Sequence, residues 1–171
     1  MDLDKKDRLI LANQYRILEA LYPDEAAEFA RSRKALENGY KLQYHSLIEF
    51  ISDEMSEEKC REVLDILDLH RAMLFSLRDK PPSERGGLTE EDVRFLGFDG
   101  NNEPEQYSYA NYYVNDLGRY QELAEGRSYV DLNSHHETLG RYRNMLRLWK
   151  DLPGQNKFKL SPDQIRTILA R

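Results

Sequence analysis

The side chains best suited to covalent chemistry are few, since the 171-residue chain holds one cysteine and four histidines. Cys60 and His70 fall on one predicted helix, where ten residues at about 1.5 Å each separate them by about 15 Å. A thiolate–imidazole pair needs hydrogen-bond contact, so these two residues cannot form a catalytic pair. We expect Cys60 to be a small buried hydrophobe and His70 to be a core histidine with its hydrogen bonds satisfied.

The run His135-His136-Glu137 is the strongest metal-ligand pattern in the sequence. Adjacent side chains on a helix diverge, so this run cannot chelate an ion without ligands from elsewhere. Its position fits a helix start better, because Ser134 and Glu137 have the spacing of a capping box. The pattern predicts a helix from His135 to Lys150. Ser161 and Gln164 repeat the same signature before the last predicted helix.

A second candidate for a metal site is a group of acids between residues 49 and 62. Clustered carboxylates can bind a divalent cation. Acids at a helix start are more often a solvated face near the positive end of the helix dipole. We therefore predict no metal site and no cofactor.

Motifs that cradle phosphates, activate serine or hold zinc do not occur in the sequence. It has no GxxxxGK[ST], GxGxxG, HExxH, GxSxG or CxxC. Each of these motifs builds a geometry that few other patterns provide. We therefore predict no catalytic residues and do not expect an enzyme.

Val93–Tyr120 is the stretch that could line a pocket, because an apolar run, a glycine-rich turn and a tyrosine-rich helix meet there. It supplies charge and stacking surfaces through Arg94, Asp99, Glu103, Tyr109, Tyr113 and Arg119. A small-molecule binder or an enzyme with a pocket near residues 94–120 is therefore one functional alternative. The structural alternative is that Asp99 satisfies the turn while the aromatic rings anchor it in the core.

The first predicted helix carries apolar residues around a wider arc than packing against one neighbour requires. Ile10, Ile17 and Leu21 form a second stripe beside the one expected to face the core, and Asn13 interrupts it. We expect this side of the helix to contact another subunit. These four residues form the first half of a candidate interaction surface.

A basic stripe on a later helix forms the second half, through Arg143, Arg147 and Lys150. Residues 141–171 hold eight basic and two acidic side chains, whereas the whole chain carries a net charge of −6. Basic side chains can contact phosphates, so weak nucleic-acid binding through this segment is a second functional alternative. We do not expect nucleic acid as the partner, since the chain is acidic and shows no DNA-reading motif.

Helical periodicity runs through the chain, and no stretch alternates as a strand does. We predict an all-α, multi-helix protein in which an N-terminal helical hairpin or lobe packs with a second helical domain. A cluster of prolines and glycines breaks the pattern. It predicts an N-terminal lobe at 1–80 with a long helix at about 56–79, a linker at 81–88 and a C-terminal domain at 89–171, with one core that the lobes could share.

The composition predicts a cytoplasmic protein without a membrane segment. Charged residues make up 33% of the chain and hydrophobic residues 40%. No apolar run approaches the roughly 20 residues that span a bilayer. The start, MDLDKKDRLIL, lacks the features of a signal peptide, and a single cysteine excludes an internal disulfide.

Five separated segments form a specific pattern: RLILANQY (8–15), FLGFDGNNE (95–103), GRY (118–120), YRNMLRLW (142–149) and LSPDQIRTIL (160–169). In this order they resemble the YfbU family of small bacterial proteins. The resemblance covers nearly the whole chain. It implies an all-helical fold and a tendency to form homo-oligomers, and it implies no reaction or cofactor. The loop at 81–87 is longer and richer in proline and glycine than the family pattern leads us to expect.

The leading hypothesis is therefore a cytoplasmic helical protein of unassigned biochemical role that acts through protein–protein contact. Its support is the wide apolar arc of the first helix, the uneven charge and the missing catalytic motifs. We expect a homo-oligomer, with an unidentified protein as a further partner.

Overall fold

The computed structural model describes residues 1–124, 130–153 and 157–170. The described residues form six α-helices joined by short 3-10 segments, and a π-helical turn at Tyr112–Asp116 extends the fourth helix. The α-helices are α1 (Lys5–Leu21), α2 (Ala26–Asn38), α3 (Glu57–Arg78), α4 (Pro104–Asn111), α5 (Leu139–Asp151) and α6 (Pro162–Leu169). Within these residues, Phe98 and Asn133 form an isolated parallel β-bridge. The predicted all-α class is confirmed.

The chain divides into two compact units, which we call unit 1 (Met1–Glu54) and unit 2 (Met55–Arg171). The sequence predicted a division at 81–88 instead. The difference arises from α3, which buries ten residues and lies at the centre of the unit 2 core. The prolines and glycines of 81–87 mark a loop within unit 2.

Unit 1 is a helical hairpin of α1 and α2 followed by a 3-10 segment at Lys41–Leu47. Asp4 and Asp7 form a capping box that starts α1. Gly39 ends α2 with a φ of 72°, a left-handed conformation that glycine adopts without strain. The core cluster of the hairpin is small and consists of Ala12, Leu36, Tyr44 and Leu47.

Unit 2 is organised around an aromatic cluster on α3. His70 packs against Phe95 and Tyr142 with ring centroids 5.3 and 5.1 Å apart, and Phe98 completes the cluster. The backbone beside it is close-packed, because a Cβ on Gly97 would lie 1.9 Å from the Leu132 carbonyl oxygen. With a φ of 89°, that position requires glycine.

Helix α5 begins at Leu139, so the predicted start at His135 is wrong. His135 has a φ of 56°, and the Ser134 hydroxyl donates to the His136 carbonyl rather than accepting from a helical N–H. The oxygen that satisfies the start of α5 comes from a distant residue, described below. The second predicted capping box, Ser161 with Gln164, does form at the start of α6.

Candidate functional site

The outer face of α1 is the clearest candidate surface in unit 1. Ile10, Ile17 and Leu21 remain 48%, 59% and 64% exposed, although α1 already packs its other side against α2. Spacings of seven and four residues place these three side chains on one face of the helix. Asn13 is exposed on the same side. We call these four residues the α1 stripe.

Exposed apolar side chains are concentrated in unit 1. Among the described residues, eleven of the fifteen exposed large hydrophobic side chains lie there. Outside the α1 stripe they include Leu9, Leu42, Phe50 and Ile51. A 54-residue unit with a four-residue core cluster is at the lower limit of what folds without further support. Exposed apolar surface on this scale is typical of a protein contact site.

A groove of about 420 Å³ runs along one side of α1, next to the stripe. Ala12 and Leu36 lie at its floor, and its rim is mostly basic, with Lys5, Arg8 and Arg16 beside the acid Glu37. The Arg8 guanidinium donates to the Leu36 carbonyl at 3.2 Å, which satisfies the end of α2. The groove thus joins an apolar floor to a positively charged edge, and it is open enough to receive side chains from another molecule.

Ion pairs fix the orientation of the hairpin and keep the α1 stripe outward. Arg33 on α2 donates to Glu19 on α1 with an Nε–Oε1 distance of 2.5 Å, and also to Glu37 at 3.0 Å. The hydrogen bond from Arg33 lowers the pKa of Glu19. Because these side chains are about one-fifth to two-fifths exposed, both pairs contribute modest stability, and the Arg33–Glu19 pair also sets which face of α1 meets α2.

The basic stripe of α5 is paired with acids of α3. Arg143 donates to both carboxylate oxygens of Glu62 at 2.7 and 2.9 Å, and Lys150 lies 2.5 Å from Asp65. Arg147 donates to the Asn144 side chain and lies 3.7 Å from Asp151. A phosphate bound at this face would have to compete with Glu62 and Asp65 for these basic side chains.

Asp99 and Glu103 are buried in the turn and hold it together. Asp99 accepts from the backbone N–H of Asn101 at 2.9 Å and from the Asn102 amide at 2.7 Å, and these hydrogen bonds lower its pKa. Glu103 accepts from the backbone N–H groups of Thr138 and Leu139 at 2.9 and 2.7 Å. Glu103 thus caps the start of α5.

The other predicted pocket residues make separate contacts. Tyr109 and Tyr113 pack with ring centroids 5.3 Å apart, and burial raises the pKa of Tyr109 to about 12. Arg94 lies 3.3 Å from Glu91 and lines a cavity of about 30 Å³, enough for about one water molecule. Arg119 is exposed, and its backbone N–H donates to the Tyr113 carbonyl. These side chains take part in packing and turn formation, and they are not arranged around a common cavity.

His70 is buried as predicted, but its hydrogen bonding is incomplete. Its Nδ1 lies 2.8 Å from the Val93 carbonyl oxygen, whereas Nε2 has no hydrogen-bond partner among the described residues. Burial lowers the pKa of His70 to about 4. Helical spacing alone could indicate burial but not which ring nitrogen would find a partner.

Among the described residues, no three His, Cys, Asp or Glu side chains are clustered as a metal site would need. Cys60 is half-buried, with Sγ 3.9 Å from the Met55 carbonyl oxygen. None of the described helices is long and apolar enough to cross a membrane.

Comparison with known proteins supports the resemblance seen in the sequence. A family model described as the YfbU domain matches residues 1–170. The UPF0304 protein MJECS11 of Methanocaldococcus jannaschii is 33% identical over 168 residues, which cover 98% of each chain. The similarity therefore extends over both units, and this relative is archaeal.

Proposed function

Since the chain belongs to the YfbU family, we propose that it acts through protein–protein contact and that its first contact is self-association through α1. The observation that carries the proposal is the α1 stripe, whose isoleucines and leucine stay about half-exposed or more on a helix already packed on its other side. Water-exposed aliphatic side chains in a row gain free energy when a second surface covers them.

The size of the stripe sets the expected strength of the contact. Three half-exposed aliphatic side chains present roughly 300 Å² of apolar surface per copy, worth about 15 kcal/mol for two copies at about 25 cal/mol per Å². Association costs about 4–15 kcal/mol in lost freedom. The difference lies between about 0 and 11 kcal/mol, and a micromolar dissociation constant, which needs about 8 kcal/mol, falls within that range. The contact is then reversible and depends on protein concentration.

The cytoplasm is the compartment we propose for this association. Its support is the single cysteine, Cys60, which is free in the structure. A further protein partner could use the other exposed apolar side chains of unit 1, such as Leu42 and Phe50.

Light scattering coupled to size exclusion tests the proposal with a matched pair of variants. The double variant Ile10→Gln/Ile17→Gln removes the centre of the α1 stripe and should shift the protein to the monomer. Leu117→Gln makes the same kind of change at a 45% exposed residue of unit 2 and should leave the mass unchanged. Circular dichroism checks that all three proteins keep the same helix content. A mass unaffected by the double variant would refute the role of the stripe.

A further inference from the structure

We infer that two copies pair with their α1 helices antiparallel, about a two-fold axis that passes between Asn13 and Gln14. This arrangement rests on the proposed self-association and specifies its geometry. Ile10 and Ile17 lie at equal distances on either side of that midpoint. An antiparallel pair therefore sets Ile10 of each copy against Ile17 of the other, and a two-fold interface repeats each contact twice.

Charge at the two ends of α1 favours this direction. Lys5 and Lys6 lie at the start of the helix, and Asp24 and Glu25 lie in the 3-10 turn just after its end. All four are exposed, and within residues 1–124 none of them takes part in an ion pair. Lys6 lies on the same side of α1 as the stripe, so antiparallel helices bring it toward Asp24 of the other copy, whereas parallel helices would set Lys6 against Lys6.

Asn13 gives the pairing its register. It is an exposed polar residue that interrupts an otherwise apolar stripe. Next to the axis, the amide of each copy can donate to and accept from the amide of the other. A shifted register would place this amide against isoleucine and leave its hydrogen bonds unmade, so a polar residue at this point specifies alignment.

The partner that fits this surface is a second copy, because the surface is complementary to itself. Its apolar centre is symmetric about the axis, and Lys6 near one end is opposite in charge to Asp24 near the other. Leu21 of one copy faces Lys6 of the other, whose aliphatic stem can cover it while the ammonium group reaches Asp24. A stripe of roughly 300 Å² per copy is less than half of the about 800 Å² per partner of a standard interface, which fits a reversible dimer.

Disulfide trapping distinguishes the two directions. In a Cys60→Ser background, Asn13→Cys places two thiols beside the axis, within the Cα–Cα distance of about 4.4–6.8 Å that a disulfide needs. Lys6→Cys places its two thiols 15 residues apart along the pair, about 22 Å. A mixture of the Leu21→Cys protein and the Lys6→Cys protein places the thiol at residue 21 of one copy opposite the thiol at residue 6 of the other. Ala27→Cys, exposed on α2, measures the rate of random collision.

The expected result is rapid covalent dimer formation by Asn13→Cys alone and by the Lys6→Cys and Leu21→Cys mixture. Lys6→Cys alone should cross-link no faster than Ala27→Cys. Rapid cross-linking of Lys6→Cys alone would show parallel helices and overturn the inference. A dimer by light scattering with no cross-link from Asn13→Cys would also overturn it, although self-association would stand. A wild-type protein that is monomeric at 100 μM would overturn both.

Discussion

Acid should destabilise unit 2 through His70, and the structure explains why. A carbonyl oxygen can only accept a hydrogen bond, so the contact with Val93 assigns the proton to Nδ1. Nε2 then carries a buried lone pair with no partner among the described residues. Protonation would place a charge at that atom, between the rings of Phe95 and Tyr142, with no acid group to pair with it there.

The size of the effect follows from the pKa of His70 in the two states. Burial, opposed by the hydrogen bond to the Val93 carbonyl and aided by the nearby Arg141 charge, lowers that pKa from 6.5 to about 4 in the folded protein, whereas an unfolded chain keeps the ordinary value. Between these pH values the unfolded state binds a proton that the folded state does not. The free energy of unfolding therefore falls as the pH drops from about 6.5 to about 4, by about 3 kcal/mol in total.

Urea denaturation between pH 4 and 7.5 measures this effect, and tryptophan fluorescence assigns it to unit 2. Trp149 is the single tryptophan and lies on α5, so its fluorescence reports the unfolding of unit 2. His70→Gln and His70→Phe both remove the titrating group. Each should lower stability at pH 7.5, by an amount in the range of core substitutions, and should flatten the pH dependence. His45→Gln changes an exposed histidine and is the matched control.

The difference between wild type and the His70 variants is the decisive quantity, because carboxylates add their own dependence on pH to both. It should shrink by about 3 kcal/mol from pH 7.5 to pH 4. A direct NMR titration of the imidazoles should show His70 still neutral at pH 5. A difference that stays constant with pH, or a His70 resonance that titrates near pH 6.5, would refute the reasoning.

Three further substitutions test packing and capping in unit 2. Gly97→Ala should cost about 3 kcal/mol or more, because its Cβ would meet the Leu132 carbonyl at a positive φ. Gly140→Ala is its control, since nothing lies within 4 Å of that Cβ and α5 should gain up to about 1 kcal/mol. Glu103→Gln should cost about 1–3 kcal/mol, since an uncharged amide is the weaker acceptor for the Thr138 and Leu139 N–H groups. Urea denaturation followed by Trp149 fluorescence measures all three, and a Gly97→Ala protein as stable as Gly140→Ala, or a Glu103→Gln protein as stable as wild type, would contradict the geometry.

Local signals predicted the helices of this chain, and non-local contacts account for the errors. Ser161 and Gln164 are three residues apart and form the expected capping box. Ser134 and Glu137 have the same spacing but form none, because the backbone at His135 is not helical and α5 starts only at Leu139, where Glu103, 35 residues before Thr138, accepts from the Thr138 and Leu139 N–H groups. No local pattern indicates that a distant carboxylate will fold onto a helix start.

The predicted linker at 81–88 and the division between Glu54 and Met55 lie at different places for a related reason. Prolines and glycines identify a loop, but only the set of contacts shows which core the preceding helix joins. Helix α3 belongs to the unit 2 core, so the loop at 81–87 lies inside a unit rather than between two.

The candidate surfaces differ in how far the sequence could define them. The exposure of Ile10, Ile17 and Leu21 was foreseeable, because an apolar arc wider than one neighbour can cover must leave a part outside. The pairing of Arg143 with Glu62 was not, since those residues are 81 positions apart.

Sedimentation equilibrium of the wild-type chain between 1 and 100 μM tests the central claim most directly. The protomer mass is 20.2 kDa. If the α1 stripe is a self-association surface, the apparent mass should rise with concentration toward twice that value, and Ile10→Gln/Ile17→Gln should hold it at the protomer mass. A wild-type mass of 20.2 kDa across the whole range would contradict the account.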